Sequence, residues 1–335
     1  MDDRFRQLID TYRCVSIIGM CKNAGKTTAL NRIIRESARA QKRLALTSIG
    51  RDGEDQDLVT GTKKPGIYIP EDTLIATASD LVVRHCDVTR EILDTTGIFT
   101  PMGEVVIFRS RSAGNVQLAG PSMTSQLASV REDFFRLGAD LVLIDGALSR
   151  KSLCSRQVTE ATILCTGASY HKNLRTVVED TAYQCRILTL PEAEDDRLLP
   201  FAETDSRDTL LLTENGILSV AGSLEAALRQ NKANTVFFGG ALTDHLVKPL
   251  ILSAVPLKGL NFVVRDASKI LLKPDSFEKL QRRGVRLQVL RSVNLAAVTV
   301  NPFSAYGFHF DAAELLEEMR SRIDLPVIDV MEDSQ

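Results

Sequence analysis

No stretch of the chain approaches the ~18 uninterrupted apolar residues of a membrane-spanning helix, and the start, Met1-Asp-Asp-Arg4, lacks a signal peptide's apolar region. These absences predict a soluble, cytoplasmic protein with no membrane partner. Charge of one sign is missing too. The 41 Lys and Arg against 43 Asp and Glu leave a net charge of −2, which argues against a nucleic-acid-binding surface. The six cysteines (Cys14, Cys21, Cys86, Cys154, Cys165, Cys185) include no C-x-x-C pair. Metal and disulfide frameworks are therefore not expected, and reduced, mostly buried thiols are.

What is present is a chain of 335 residues, 44% hydrophobic, enough for a sizeable core in one large or two medium domains. The stretch around which it is organised is Val15-Ser-Ile-Ile-Gly-Met-Cys-Lys-Asn-Ala-Gly-Lys-Thr-Thr28, a β-branched strand, a glycine-and-lysine turn and a helix with Leu30, Ile33 and Ile34 at helical spacing. It reads as a phosphate-binding loop. Gly25 lets the backbone come close, successive amides from Lys22, Asn23, Ala24 and Gly25 onward wrap an anion, and the helix starting near Lys26 aims its positive dipole end at the phosphates. Lys26 would reach the β- and γ-phosphates, Thr27 would hold Mg²⁺, and Thr28 would support the α-phosphate or the helix start. The motif G-x-x-x-x-G-K-[ST] asks for its first glycine at Met20, whereas this chain has Gly19. Either Met20 takes the turn conformation or the loop is one residue longer. Cys21 reads first as a small residue tolerated in the turn; the alternative is that Lys22 and the nearby helix N-terminus lower its pKa and leave it oxidisable.

Residues 1–13 read as a short helical or loose lead-in, Thr27–Gln41 as a helix and Arg43–Gly50 as a second buried strand. This βαβ unit implies a parallel sheet with a right-handed crossover. The second strand runs into Arg51-Asp-Gly-Glu-Asp-Gln-Asp57 at the carboxyl edge, where Asp52, then Glu54 and Asp55, would hold Mg²⁺ through water or orient an attacking water, or where the cluster is a solvated acidic turn. Gly103–Arg109 and Asn115–Leu118 suggest a hairpin or paired edge strands, and Thr124–Arg136 a helix. Ala139-Asp-Leu-Val-Leu-Ile-Asp-Gly146 is a buried strand ending in a carboxylate, as in a Walker B strand, so Asp145 would reach the Mg²⁺ shell. Gly146 would allow close backbone approach and Ser149-Arg-Lys151 would contact phosphate or form a solvated loop. Glu160–Ser169 repeats strand and small-residue loop, bringing Thr166 and Gly167 to the same edge. His171 reads as a surface residue.

The expected fold is α/β, a largely parallel sheet flanked by helices of P-loop NTPase type, with a further α/β C-terminal part. Its expected division is 1–190 for nucleotide, an acidic linker at 191–208, and 209–335, whose alternating units either extend the first sheet or form a second. Loops at 239–244, 265–269 and 301–307 sit where a carboxyl-edge ligand would, or where Asp244 and Ser268 cap helices. Asn231-Lys-Ala-Asn234 lacks the aspartate of the guanine-reading Asn-Lys-x-Asp and precedes a strand, so ATP is favoured over GTP.

Lys22-Asn-Ala-Gly-Lys-Thr-Thr28, Asp52-Gly-Glu54, Ala119-Gly-Pro-Ser122, Asp145-Gly146 and Asn301-Pro302 together resemble the P-loop subunit of lysine 5,6-aminomutase reactivase. The layout looks like the wider dethiobiotin-synthetase and nitrogenase-iron-protein class. The resemblance implies ATP-driven release of damaged cobalamin from an adenosylcobalamin-dependent aminomutase, with a second, separately encoded subunit. Lys26, Thr27 and Asp145 carry over as nucleotide and Mg²⁺ residues, Asp52 as water activator, and Met20 departs from the common loop. No Asp-x-His-x-x-Gly cobalamin signature is present, so the chain would act on the cofactor-bearing enzyme without holding cobalamin. The alternative is a small-molecule kinase or ATP-dependent ligase of the dethiobiotin-synthetase kind, with the 239–244 and 301–307 loops lining its substrate pocket. A non-hydrolysing binding module would follow if the loop held phosphate without organising Mg²⁺.

Overall fold

The computed structural model describes residues 4–50, 66–146, 158–202, 204 and 206–331. The chain forms two compact units, one of residues 1–182 with 294–335 and one of 183–293.

The first unit opens with α1 (Arg4–Thr11), β1 (Cys14–Gly19), α2 (Lys26–Arg39) and β2 (Leu44–Ser48). Then come β3 (Ile67–Ile69), β4 (Leu74–Ala78), α3 (Ser79–Arg84), β5 (Arg90–Thr100), β6 (Gly103–Ser110) and β7 (Gly114–Val116). α4 (Thr124–Arg136), β8 (Leu141–Asp145), β9 (Ala161–Gly167) and α5 (Leu174–Leu188) follow, the division between the units falling inside α5.

The second unit contains β10 (Thr209–Thr213), β11 (Gly216–Ser219), α6 (Leu224–Gln230), β12 (Ala233–Phe238), β13 (Leu242–Thr243) and α7 (Asp244–Leu252). It continues through β14 (Asn261–Asp266), β15 (Ile270–Leu271), α8 (Pro274–Arg282) and β16 (Arg286–Arg291). The chain then rejoins the first unit with β17 (Leu295–Asn301), α9 (Ala312–Arg322) and β18 (Val327–Asp329).

The first unit is built on a nine-stranded sheet in the order β18-β17-β9-β1-β8-β2-β4-β6-β5. Strands β18 through β4 in that order pair in parallel, while β6 runs antiparallel to β4 and β5 antiparallel to β6. Every residue of β1, β2 and β9 is buried, as strands covered on both faces should be. On one face α2 sets Leu30, Ile33 and Ile34 against Val15, Ile17 and Leu46, with Phe5 and Ile9 of α1 beside them. On the other, Leu127, Val130 and Phe134 of α4 cover Val142, Ile144 and Ile107. The result is a mixed α/β protein with a large, mostly parallel central sheet flanked by helices.

The second unit has a five-stranded sheet, β11-β10-β12-β14-β16, with β12, β14 and β16 parallel. Its turns are chemically specified: Ser223 accepts from the Ala226 amide at 3.4 Å to cap α6, and Arg265 donates to the carbonyls of Thr204, Ser206 and Gly239.

Three sequence expectations are corrected here. The segment 209–335 is not one domain, because β17 pairs with β9 and places the last strands in the first sheet. Residues 191–208 are not a free linker: Glu192 bridges to Val289 and Leu198 is fully buried against Phe237 and Val263. The expected 103–109/115–118 hairpin does not form. β6 instead pairs with β5, whose mixed polar sequence hid it, and β7 pairs with β3.

Candidate functional site

At the carboxyl edge of the first sheet the end of β1 lies between those of β8 and β9, with Ile17 level with Asp145 and Gly19 level with Cys165. The Met20 amide donates to the Cys165 carbonyl at 2.8 Å, carrying the pairing one residue past Gly19. Met20 has no left-handed backbone, which answers the question its place in the motif raised. The chain turns instead through Asn23 (φ 61°) and Gly25 (φ 88°), a conformation that asparagine tolerates and glycine adopts without strain.

Gly25 is the N-cap of α2 and offers no side-chain cap. The first helical amide to find an acceptor is that of Ala29, which donates to the Gly25 carbonyl at 2.9 Å. Among the described residues the amides from Asn23 to Thr28 donate to nothing, so a run of donors opens at the sheet edge. A Cβ on Gly19 would sit 2.9 Å from Lys26 Cγ and 3.1 Å from its Cδ, so the lysine stem folds back across the strand end. Its ammonium has no hydrogen-bond or ion-pair partner among the described residues, nor do the Thr27 and Thr28 hydroxyls. Unpaired amides and a free ammonium in one turn are chemistry for an anion.

Asp145 ends β8 between β1 and β2, level with both Ile17 and Ser48. Its carbonyl accepts from the Ile49 amide at 2.8 Å, which fixes the strand end while the carboxylate stays half-exposed. Lys26 and Asp145 both act on the thiol of Cys165. Burial pushes that thiol to about 12; Lys26 pulls it down and Asp145 pushes it up. The two charges thus share one end of the sheet.

The other expected residues fall as follows. Cys21 does not have a lowered pKa, because burial raises it more than the Lys26 charge lowers it. Thr166 is fully buried and its hydroxyl is taken by Thr181 at 2.9 Å, so it faces the interior. Gly146 sits close to its neighbours: a Cβ there would lie 3.2 Å from Ile49 Cδ1 and 3.5 Å from the Ile17 carbonyl oxygen. His171 is exposed, its Nδ1 accepting from the Asn173 amide. Asp244 lies in the first turn of α7 and accepts from the Lys273 amide at 3.0 Å; Ser268 caps no helix. Asp52, Glu54, Asp55 and Ser149–Lys151 lie outside the described residues.

Sequence reasoning missed how closely Asn301 sits to the loop. A Cβ on Gly25 would be 3.0 Å from Asn301 Cβ and 3.3 Å from its Nδ2. The Asn301 Oδ1 is held by the Phe303 amide at 2.9 Å. Asn301-Pro302 marked a strand end, but only the pairing of β17 with β9 puts that end beside Gly25. Nor was the fit of Gly120 against β2 legible. Its amide donates to Ser48 Oγ at 3.0 Å, and a Cβ would meet the Ser48 carbonyl at 2.1 Å.

Among the described residues no group of three or more His, Cys, Asp or Glu side chains could hold a metal. The oxygen donors at the loop, the Thr27 hydroxyl and the Asp145 carboxylate, are of the hard kind that suits Mg²⁺, an ion that usually keeps waters and substrate phosphates in its shell. No helix among the described residues is long and apolar enough to cross a membrane. No protein-family model matches the chain, and no curated protein matches it.

Proposed function

We propose that this chain is a P-loop nucleoside triphosphatase, Mg²⁺-dependent and favouring ATP over GTP, that works in the cytoplasm on a partner enzyme. The observation that carries the reading is the run of unpaired amides from Asn23 to Thr28 under a lysine with no partner. In this reading the amides and Lys26 bind the phosphates, and Thr27 and Asp145 hold Mg²⁺. Asp52 and Glu54, assigned by sequence alone, complete the metal shell and orient the attacking water. The bound Mg²⁺ would neutralise charge developing on the phosphates. The chain's own groups supply orientation, since phosphoryl transfer needs positioning and charge stabilisation more than covalent help.

The partner in this proposal is an adenosylcobalamin-dependent aminomutase, reactivated together with a second reactivase subunit. That assignment rests on the sequence resemblance. The test is ATP hydrolysis by the purified chain with and without the second subunit and the aminomutase. Weak basal turnover, stimulated by the partners and lost in Lys26→Ala, Thr27→Ala and Asp145→Ala, is the expected outcome. ADP release that needs a small substrate and no protein would replace it with the kinase or ligase reading.

A further inference from the structure

A groove of about 490 Å³ runs along α2 away from the phosphate-loop threonines. That volume suits a small organic molecule. Its apolar lining comes from Ile34 and Ala38 on the helix and from Pro70 opposite, with the ring of Tyr68, 56% exposed, as a further wall. One hydrogen bond ties β3 to the helix, Asn31 Oδ1 accepting from the Tyr68 amide at 3.2 Å, and Ile67 and Ile69 of β3 share the buried cluster of Ile33 and Ile34.

The polar groups among its described lining residues have one character. Arg35 is exposed and makes no hydrogen bond or ion pair among the described residues. With its oxygen engaged, Asn31 presents its NH₂ donors, and the Thr27 and Thr28 hydroxyls have no partner. No carboxylate is among the described lining residues. A cation and several donors beside an apolar floor and an aromatic wall complement a molecule with an anionic head and a flat apolar body.

We propose that this groove is a second ligand site, adjoining the phosphate cradle at Thr27 and Thr28, that takes a small aromatic or apolar-bodied carboxylate, sulfonate or phosphate. Its head pairs with Arg35, its body lies on Ile34 and Ala38 against Tyr68, and its inner end reaches Thr27 and Thr28. A ligand there touches the two threonines assigned above to Mg²⁺ and the α-phosphate, so its occupancy would be read by the nucleotide.

The test uses the full chain and 8-anilinonaphthalene-1-sulfonate, an aromatic anion whose emission rises when it is shielded from water. Wild type is expected to give a saturable one-site titration. Arg35→Ala should weaken it at least about tenfold, and Ala38→Trp, which fills the floor, should weaken it as much. The chain contains no tryptophan, so Tyr68→Trp adds a single reporter whose emission should fall as the probe binds. Melting temperatures near wild type keep misfolding from being read as lost binding. No saturable binding by wild type, or wild-type affinity in either Arg35→Ala or Ala38→Trp, overturns the proposal. Lys26→Ala should keep probe affinity, so failure of the nucleotide reading and failure of this one give different results.

Discussion

Asn301, the last residue of β17, packs against Gly25, the left-handed N-cap of α2, so closely that a Cβ on Gly25 would stand 3.0 Å from Asn301 Cβ. Two constraints therefore meet at position 25, a φ of 88° and the Asn301 side chain. The second comes from a strand 276 residues further along the chain (301 − 25).

Gly25→Ala should cost about 1–2 kcal/mol from the left-handed backbone alone, with a further loss from displacing Asn301. Thermal melting of Gly25→Ala, Asn301→Ala and the double variant separates these. The double variant should be more stable than the sum of the single losses, because the clash is gone and only the backbone term remains.

Removing residues 294–335 should prevent the first unit from folding. β17 lies between β9 and β18 in the nine-stranded sheet, so its loss exposes an edge with buried Ile163, Leu164 and Cys165. A shortened chain ending at 293 is expected to aggregate and to lose cooperative melting. Retention of the wild-type transition would show that the first unit does not need its C-terminal strands.

The described thiols should stay protonated at neutral pH. Burial raises Cys14, Cys165 and Cys185 from about 9 to about 12, and raises Cys21 as well. A raised folded-state value means that stabilisation is full below the ordinary thiol pKa and is lost as pH climbs through the folded one. Stability measured by denaturant titration should fall between about pH 9 and pH 12, and Cys21 should react with iodoacetamide more slowly at pH 7.5 than a free thiol. Rapid alkylation of Cys21 there would contradict the burial argument.

Asp244 accepts from the Lys273 amide, and that bond is the main cause of its lowered pKa. A lowered folded-state value contributes stability above the unfolded pKa of about 3.8, lost as pH falls through the folded one. Asp244→Asn should melt like wild type below that range and at lower temperature at pH 7, by about 1 kcal/mol or less for one partly exposed group.

Much of the first unit was legible because its signals are local. β-branched runs mark β1, β8 and β9, helical spacing marks α2, and the glycine-lysine turn is read within a dozen residues. What escaped depends on distant pairing. The chain leaves the first sheet after β9, builds a second unit and returns at β17, and α/β alternation looks the same in either sheet. Strand β5 escaped because an edge strand with Arg90, Glu91 and Asp94 lacks a buried strand's apolar run. The raised pKa of Cys21 escaped because its nearness to Lys22 is visible in the sequence and its burial is not.

The central claim is that the turn from Gly19 to Thr28 binds a nucleotide's phosphates. Isothermal titration of the full chain with a non-hydrolysable ATP analogue and Mg²⁺ tests it most directly. Wild type should bind one equivalent, and Lys26→Ala should lose at least about tenfold in affinity, the worth of a charged hydrogen bond to phosphate. No binding by wild type, or equal affinity in Lys26→Ala, would contradict it.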